Sequence, residues 1–154
     1  MKILLVCLGN ICRSPMAEGL LRDRAKQRGL NIQTDSAGTI GAHAGEAPHP
    51  PAQAAMRRHG HDISDLRARQ FRPDDFKHFD LLLAMDHGNL HDIRMLAPNA
   101  DLSKKARAVM DFARGHNDRD VPDPYWGGTG DYEHVYELLT DALEGVLNDV
   151  QGER

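Results

Sequence analysis

Residues 3–15 read Ile3-Leu4-Leu5-Val6-Cys7-Leu8-Gly9-Asn10-Ile11-Cys12-Arg13-Ser14-Pro15. Ile3 to Val6 is an unbroken apolar run, the pattern of a strand buried on both faces, and Lys2 to Val6 reads as the first strand. A thiol follows at once, then a short loop with a glycine, then Ser14 and Pro15. That pair suits the N-cap and first position of a helix, where a missing N–H is harmless. The loop between Cys7 and Arg13 is long enough to curl until several backbone N–H groups converge on one point, with the sulfur below it and the guanidinium across it. Converging amides and a helix N-terminus bind anions, and the same fields favour the thiolate, the reactive form of cysteine. A lone cysteine at a strand end is more often a small space-filler. Here the strand, the glycine, the Ser-Pro helix start and the placed arginine together point to a covalent oxyanion site at the C-terminal end of a strand, where open α/β sheets bind ligands.

Working outward, strand and helix signals alternate. A helix over 15–28 carries Ala17, Leu20, Leu21 and Ala25 on one stripe and stops at Gly29. Ile32 to Ala37 reads as a second strand, 38–51 as a loop, and Ala52 to His59 as a short helix ended by Gly60. Phe79 to Ala84 is a third, fully apolar strand. Asp86 caps a helix bearing Leu90, Ile93 and Leu96, which Pro98 closes. Ala106 to Met110 gives a fourth strand. The last helix carries Val135, Leu138, Leu139, Ala142, Leu143, Val146, Leu147 and Val150 at three- and four-residue steps. Buried strands alternating with helices pair in parallel through right-handed crossovers, so a three-layer α/β/α domain is expected.

The chain has 154 residues and a formal net charge of −4. That length predicts a single domain over 1–154 with a core that needs neither disulfide nor metal. No basic face suggests a nucleic-acid partner, and the N-terminal apolar run is too short for a signal peptide or membrane insertion. Two cysteines make no disulfide scaffold, so a cytoplasmic, reducing location is expected. His87 and His91 stand four apart, but no glutamate follows His87 to complete a zinc-protease pattern. No third ligand accompanies His59 and His61, so no metal is expected. A Gly-x-x-x-x-Gly-Lys nucleotide cradle is absent too, and no cofactor is implied.

The 7–15 segment resembles the phosphate-binding loop of the low-molecular-weight protein tyrosine phosphatases. Asp123-Pro124-Tyr125 is similar to that family's general-acid motif. Further similar stretches are Asp35-Ser36-Ala37-Gly38-Thr39, Arg67-Ala68-Arg69-Gln70 and Ala84-Met85-Asp86, spread over nearly the whole chain. The resemblance implies a four-stranded parallel sheet in the order 2-1-3-4, an order that periodicity alone does not fix. It also implies hydrolysis of a phosphotyrosine protein or small aryl phosphate, with inorganic phosphate as product.

On that reading Cys7 attacks phosphorus and forms a phosphocysteine. The backbone of Leu8, Gly9, Asn10, Ile11, Cys12 and Arg13 holds the equatorial oxygens, and the planar fork of Arg13 binds two of them. Ser14 donates its hydroxyl to the sulfur, besides capping the helix. Asp123, in an acidic stretch with Asp118, Asp120 and Asp131, protonates the leaving oxygen and later activates water. From the residues alone that stretch is a solvated turn; only the resemblance selects Asp123. Tyr125 and Trp126 match paired aromatics at the pocket rim, between which a phenyl ring would stack. Asn10 pins the loop, with Ser36 as its matched partner. Leu66 stands where the family often supplies a buried histidine, and Ala42 where many members carry a large aromatic, often tryptophan, as a wall, with His43 beside it as a partial substitute.

Two other functions are weighed. Arsenate reduction in a sister family resembles a thiol relay, which needs cysteines beyond Cys12, and none follows it. A silent phosphate-binding module needs neither nucleophile nor acid, whereas Cys7, Arg13, Ser14 and Asp123 are all present. Within the phosphatases, phosphoarginine-preferring members carry a threonine where Ile11 stands here, and the apolar Ile11 favours an aromatic ring.

Overall fold

The computed structural model describes residues 1–152. Strands β1 (Lys2–Cys7), β2 (Gln33–Gly38), β3 (Leu81–Ala84) and β4 (Ala106–Ala108) form one sheet in the order β2-β1-β3-β4, every neighbouring pair parallel. This is the expected order, and it makes the N-terminal strand a central one. Val6 pairs with Ala37 on one side and Ala84 on the other, so the ends of β1 and β3 lie side by side.

Both faces of the sheet are covered, which is why β1 and β3 lack polar alternation. Ile3, Leu5 and Leu83 pack with helices α1 (Arg13–Gln27), α2 (Pro50–Arg58) and, at the C-terminal end, α6 (Thr129–Val150). Leu4, Val6, Leu82 and Ala84 pack on the other side against Phe76 of α3 (Asp75–His78) and Leu90 and Ile93 of α4 (His87–Arg94). The apolar stripes expected on the first and last helices are buried, Val150 only in part. At Gly145, α6 presses on a 3-10 turn over Val109–Phe112: a Cβ there would lie 1.9 Å from the Phe112 carbonyl oxygen.

Several boundaries shift by one or two residues from expectation, and three of the differences have a cause in the bonding. The fourth strand ends at Ala108 because the chain coils into that turn under α6. The third begins at Leu81, since Phe79 N–H still donates to the Asp75 carbonyl of α3. The first helix starts at Arg13, with Met16 N–H donating to the Cys12 carbonyl, and no side chain caps it. Ser14 is therefore not the N-cap; its hydroxyl has other partners. Pro15 still falls in the first turn, where no intrahelical N–H bond is lost. The one-turn helices α3 and α5 (Ala100–Ser103) are too short to leave a periodic signal.

Candidate active site

Cys7 is the last residue of β1, and the chain turns sharply after it. Asn10 sits at φ 58°, a left-handed conformation that asparagine tolerates. The turn brings the Asn10 N–H to 3.3 Å from the Cys7 Sγ. The loop backbone also crosses Gly38 of β2, where a Cβ would lie 2.7 Å from the Leu8 carbonyl oxygen. Only glycine lets the two segments approach so closely.

A buried network holds the curl. The Asn10 amide donates to Ser14 Oγ at 2.7 Å and to Ser36 Oγ at 2.9 Å, while its Oδ1 accepts the Arg69 N–H at 3.0 Å. Ser36 in turn donates to Glu18 Oε1 at 2.6 Å. With an Asn10 hydrogen already on Ser14 Oγ, the serine proton is free to point at Cys7 Sγ, 3.0 Å away. Burial pushes the Glu18 carboxyl above its ordinary range, partly offset by the Ser36 bond. The matched Asn10–Ser36 pair is present as expected. Leu66 packs half-buried on the core, and the Arg69 backbone together with Glu18 completes the network.

Arg13 is only 3% exposed. One guanidinium nitrogen donates to Asp86 Oδ2 at 2.7 Å and to the Val121 carbonyl at 3.0 Å, and the other terminal nitrogen lies 3.8 Å from Asp123 Oδ2. The other Asp86 oxygen caps α4 by accepting the Asn89 N–H at 2.7 Å. Sequence reasoning anticipates that cap but not the hold on Arg13. The available signal is position: Asp86 lies just beyond the C-terminal end of an apolar strand adjacent to β1, at the ligand edge of the sheet.

A cleft of about 330 Å³ opens above the sulfur, and it gathers Cys7, Leu8, Gly9, Ile11, Cys12, Arg13, Asp123, Tyr125 and Trp126. Asn10 and Ser14 are buried in the network beneath. Ile40 and His43 also line the cleft. Ile40 is missed by the sequence reading and His43 is the expected neighbour of the small Ala42. The His43 ring reaches over Gly9, tied by Nδ1 to Glu46 at 2.8 Å.

The aromatic rim differs from the expected sandwich. Tyr125 and Trp126 meet edge to face, 4.7 Å between centroids at 90°, and Trp126 is 93% exposed. Consecutive residues of this loop present their rings at right angles, so a phenyl group can lie flat on one of them and meets the other by its edge. Tyr125 is backed by His49, stacked at 4.8 Å.

The remaining candidates separate cleanly. His87 is bonded to Asp120 at 2.7 Å. Among the described residues no three His, Cys, Asp or Glu side chains are placed to share a metal ion. Asp131 accepts the Gly128 N–H at the start of α6. Cys12 and Cys7 are both free thiols; burial pushes the Cys12 thiol up to about 12, and its sulfur lies 3.6 Å from the Tyr132 hydroxyl.

The profile of the family described as low molecular weight phosphotyrosine protein phosphatase matches residues 2–154. A putative low molecular weight protein-tyrosine-phosphatase of Synechocystis is 43% identical over 152 residues, 97% of this chain and 96% of the relative. The low molecular weight protein-tyrosine-phosphatase YfkJ of Bacillus subtilis is 41% identical over 99% of this chain and 97% of its own length. The crystal structure of YfkJ superposes with a TM-score of 0.92, covering 99% of this chain and 95% of that one at 40% identity. A protein tyrosine phosphatase from Entamoeba histolytica, with Hepes in its active site, superposes at 0.95 with 32% identity, covering 99% and 97%.

Proposed function

The chain belongs to the low molecular weight phosphotyrosine protein phosphatase family, and from that premise we propose that residues 1–154 act as one metal-independent domain hydrolysing phosphotyrosine proteins or small aryl phosphates through a phosphocysteine. The supporting observation is the Cys7 sulfur itself. It sits at the base of the 7–13 loop, within 3.3 Å of the Asn10 N–H and 3.0 Å of the Ser14 hydroxyl, with the buried Arg13 on the same cleft.

In the first step the thiolate attacks phosphorus while the bond to the phenol oxygen breaks, and Asp123 gives that oxygen its proton. The loop amides and the free edge of Arg13 carry the charge of the equatorial oxygens. In the second step Asp123, now ionised, takes a proton from water, whose oxygen attacks the phosphocysteine. The sulfur–phosphorus bond breaks, inorganic phosphate leaves, and Ser14 donates to the restored thiolate. Asp123 supports this role by position: its side chain is half-exposed at the cleft mouth, between Arg13 and Tyr125, where a leaving phenol would emerge. The apolar Ile11 and the Tyr125 face favour an aromatic ester. Both thiols are free, in keeping with a reducing, cytoplasmic setting. Among the described residues no helix is long and apolar enough to cross a membrane.

Cys7→Ser tests the covalent step. Turnover of phenyl phosphate is expected to vanish while vanadate binding, which needs the amides and Arg13, persists. Turnover near the parent rate would refute the phosphocysteine.

A further inference from the structure

The acidic stretch before the aromatic rim contains a second carboxylate whose bonding the mechanism above does not use. Asp120 Oδ1 accepts both donors of His87, the backbone N–H at 2.9 Å and the ring Nδ1 at 2.7 Å. His87 is the first residue of α4 and follows Asp86, the residue that holds Arg13. The next loop residue is clipped to the same turn: Val121 N–H donates to the Met85 carbonyl at 2.9 Å, and the Val121 carbonyl accepts from Arg13 at 3.0 Å. Met85, Asp86 and His87 thus hold Asp120, Val121 and Arg13 at once.

The segment beyond the clip is stiff. Pro122 and Pro124 flank Asp123, so φ is locked on both sides of it, and Val121 and Asp123, each preceding a proline, are confined to extended backbone. Asp123 has few internal rotations of its own by which to find the leaving oxygen. Its place is inherited from residues 120 and 121. The Asp123 carboxylate adds one bond within its turn, accepting the Tyr125 N–H at 3.1 Å, and its other oxygen lies 3.8 Å from the Arg13 guanidinium.

We propose that Asp120, gripped by His87, is a positioning residue that sets where Asp123 stands over the phosphorus, rather than a rival proton donor. This rests on the reading of Asp123 as general acid. Asp120 does not line the cleft over Cys7, and its oxygen already carries two donors. Desolvation works against ionisation there, but the His87 bonds outweigh it and hold the carboxyl below its ordinary range. A proton donor must be the neighbour that faces the cleft, which is Asp123.

The test uses the whole protein and a series of aryl phosphates whose phenols span low to high pKa, with kcat/KM as the readout. Proton donation matters most for poor leaving groups, so a misplaced acid lowers kcat/KM selectively for high-pKa phenols. For Asp120→Ala we expect a loss of about tenfold for phenyl phosphate, a fraction of the hundred- to ten-thousandfold that acid transfer supplies, and little loss for dinitrophenyl phosphate. Asp120→Asn keeps an oxygen for both His87 donors and should restore the parent dependence. Inhibition by inorganic phosphate, which reports the loop and Arg13, should stay near the parent value in both variants. If Asp120→Ala loses phosphate inhibition through misfolding, the comparison passes to His87→Ala, which breaks the ring bond alone and should show a smaller loss of the same kind. An equal loss for every phenol, no loss at all, or an Asn variant as impaired as the Ala variant would overturn the proposal. Asp123→Ala in the same series separates the two readings. If it leaves the leaving-group dependence unchanged, the acid assignment fails; if it steepens that dependence while Asp120→Ala and His87→Ala do not, the positioning role alone fails.

Discussion

Removing the Asp86 carboxylate should strand the buried Arg13 charge, and two substitutions divide its effect. One Asp86 oxygen bonds Arg13 at 2.7 Å and the other caps α4 at Asn89. A hydrogen bond to a charged group contributes about 1.5–3 kcal/mol. The upper part of the range for a broken buried pair does not apply, because the Asp86 side chain is 27% exposed and water can reach it. The cap contributes about 1 kcal/mol more. Asp86→Ala loses both, for a total of about 2.5–4 kcal/mol. Asp86→Asn keeps an oxygen for the cap but turns an amide N–H toward Arg13, so it loses only the first part. For a chain of this size each kcal/mol moves Tm by about 2–4 °C, which places the Ala variant about 5–15 °C below the parent and the Asn variant about 2–4 °C above the Ala variant. Calorimetry with and without inorganic phosphate is the assay. A bound phosphate supplies the missing countercharge to Arg13, so the ligand should raise Tm at least as much in the variants as in the parent. An Asp86→Ala protein as stable as the parent, or one in which phosphate no longer raises Tm, would refute the account of Arg13 as a buried cation held by Asp86.

The Glu18 carboxyl is raised by burial, so the folded chain binds its proton more tightly than the unfolded one, and stability from this group falls as pH rises through and above the ordinary glutamate range. Glu18→Gln, which keeps an acceptor for Ser36, should therefore raise Tm at neutral pH and lose that advantage in acid; urea titrations across pH would show the crossing. Installing tryptophan at the exposed Ala42 should lower KM for phenyl phosphates more than for alkyl phosphates, by up to about tenfold, since an aromatic face adds about 0.5–1.5 kcal/mol of stacking. Equal shifts for both classes would mean that the wall is not open. Burial keeps Cys12 a protonated thiol, so peroxide should oxidise Cys7 first, to a sulfenic acid that Cys12 captures as a disulfide with loss of water. A dithiol should then restore the parent enzyme but not Cys12→Ser, and equal recovery would reject capture.

The parts of the site that are legible in the sequence are those written in neighbouring residues. The strand, curl and helix of residues 2–27 follow from apolar continuity and local turn chemistry, and the long last helix follows from its period. The strand order, and the choice of Asp123 over Asp118, Asp120 and Asp131, come from resemblance, because neither leaves a local trace. Ser14 departs from its expected capping role for a physical reason: a serine before a proline at a helix start satisfies the local rule for a cap, but a thiol and an amide from the loop compete for the same hydroxyl and win. Asp86 shows the same divide within one side chain. The oxygen that caps its own helix is legible from neighbouring residues, and the oxygen that reaches Arg13, distant in sequence, is not. The edge-on meeting of Tyr125 and Trp126 depends on backbone angles that residue type does not specify.

The central place of β1 bears on how the chain is made. This strand emerges before both of its neighbours during synthesis and is among the most apolar segments of the molecule, yet those neighbours are drawn from residues 33–38 and 81–84. α6, which completes the core on one face of the sheet by packing over α1 and α2, begins only at Thr129. One edge of β1 therefore stays open until Ala84 has left the ribosome, and the loop-closure entropy for β1–β3 pairing is met before that pairing returns any stability. An early strand with unsatisfied edges is a template for wrong pairing between nascent chains. The arrangement that sets the nucleophile loop beside Asp86 thus leaves an apolar strand edge without its partner through the first half of synthesis.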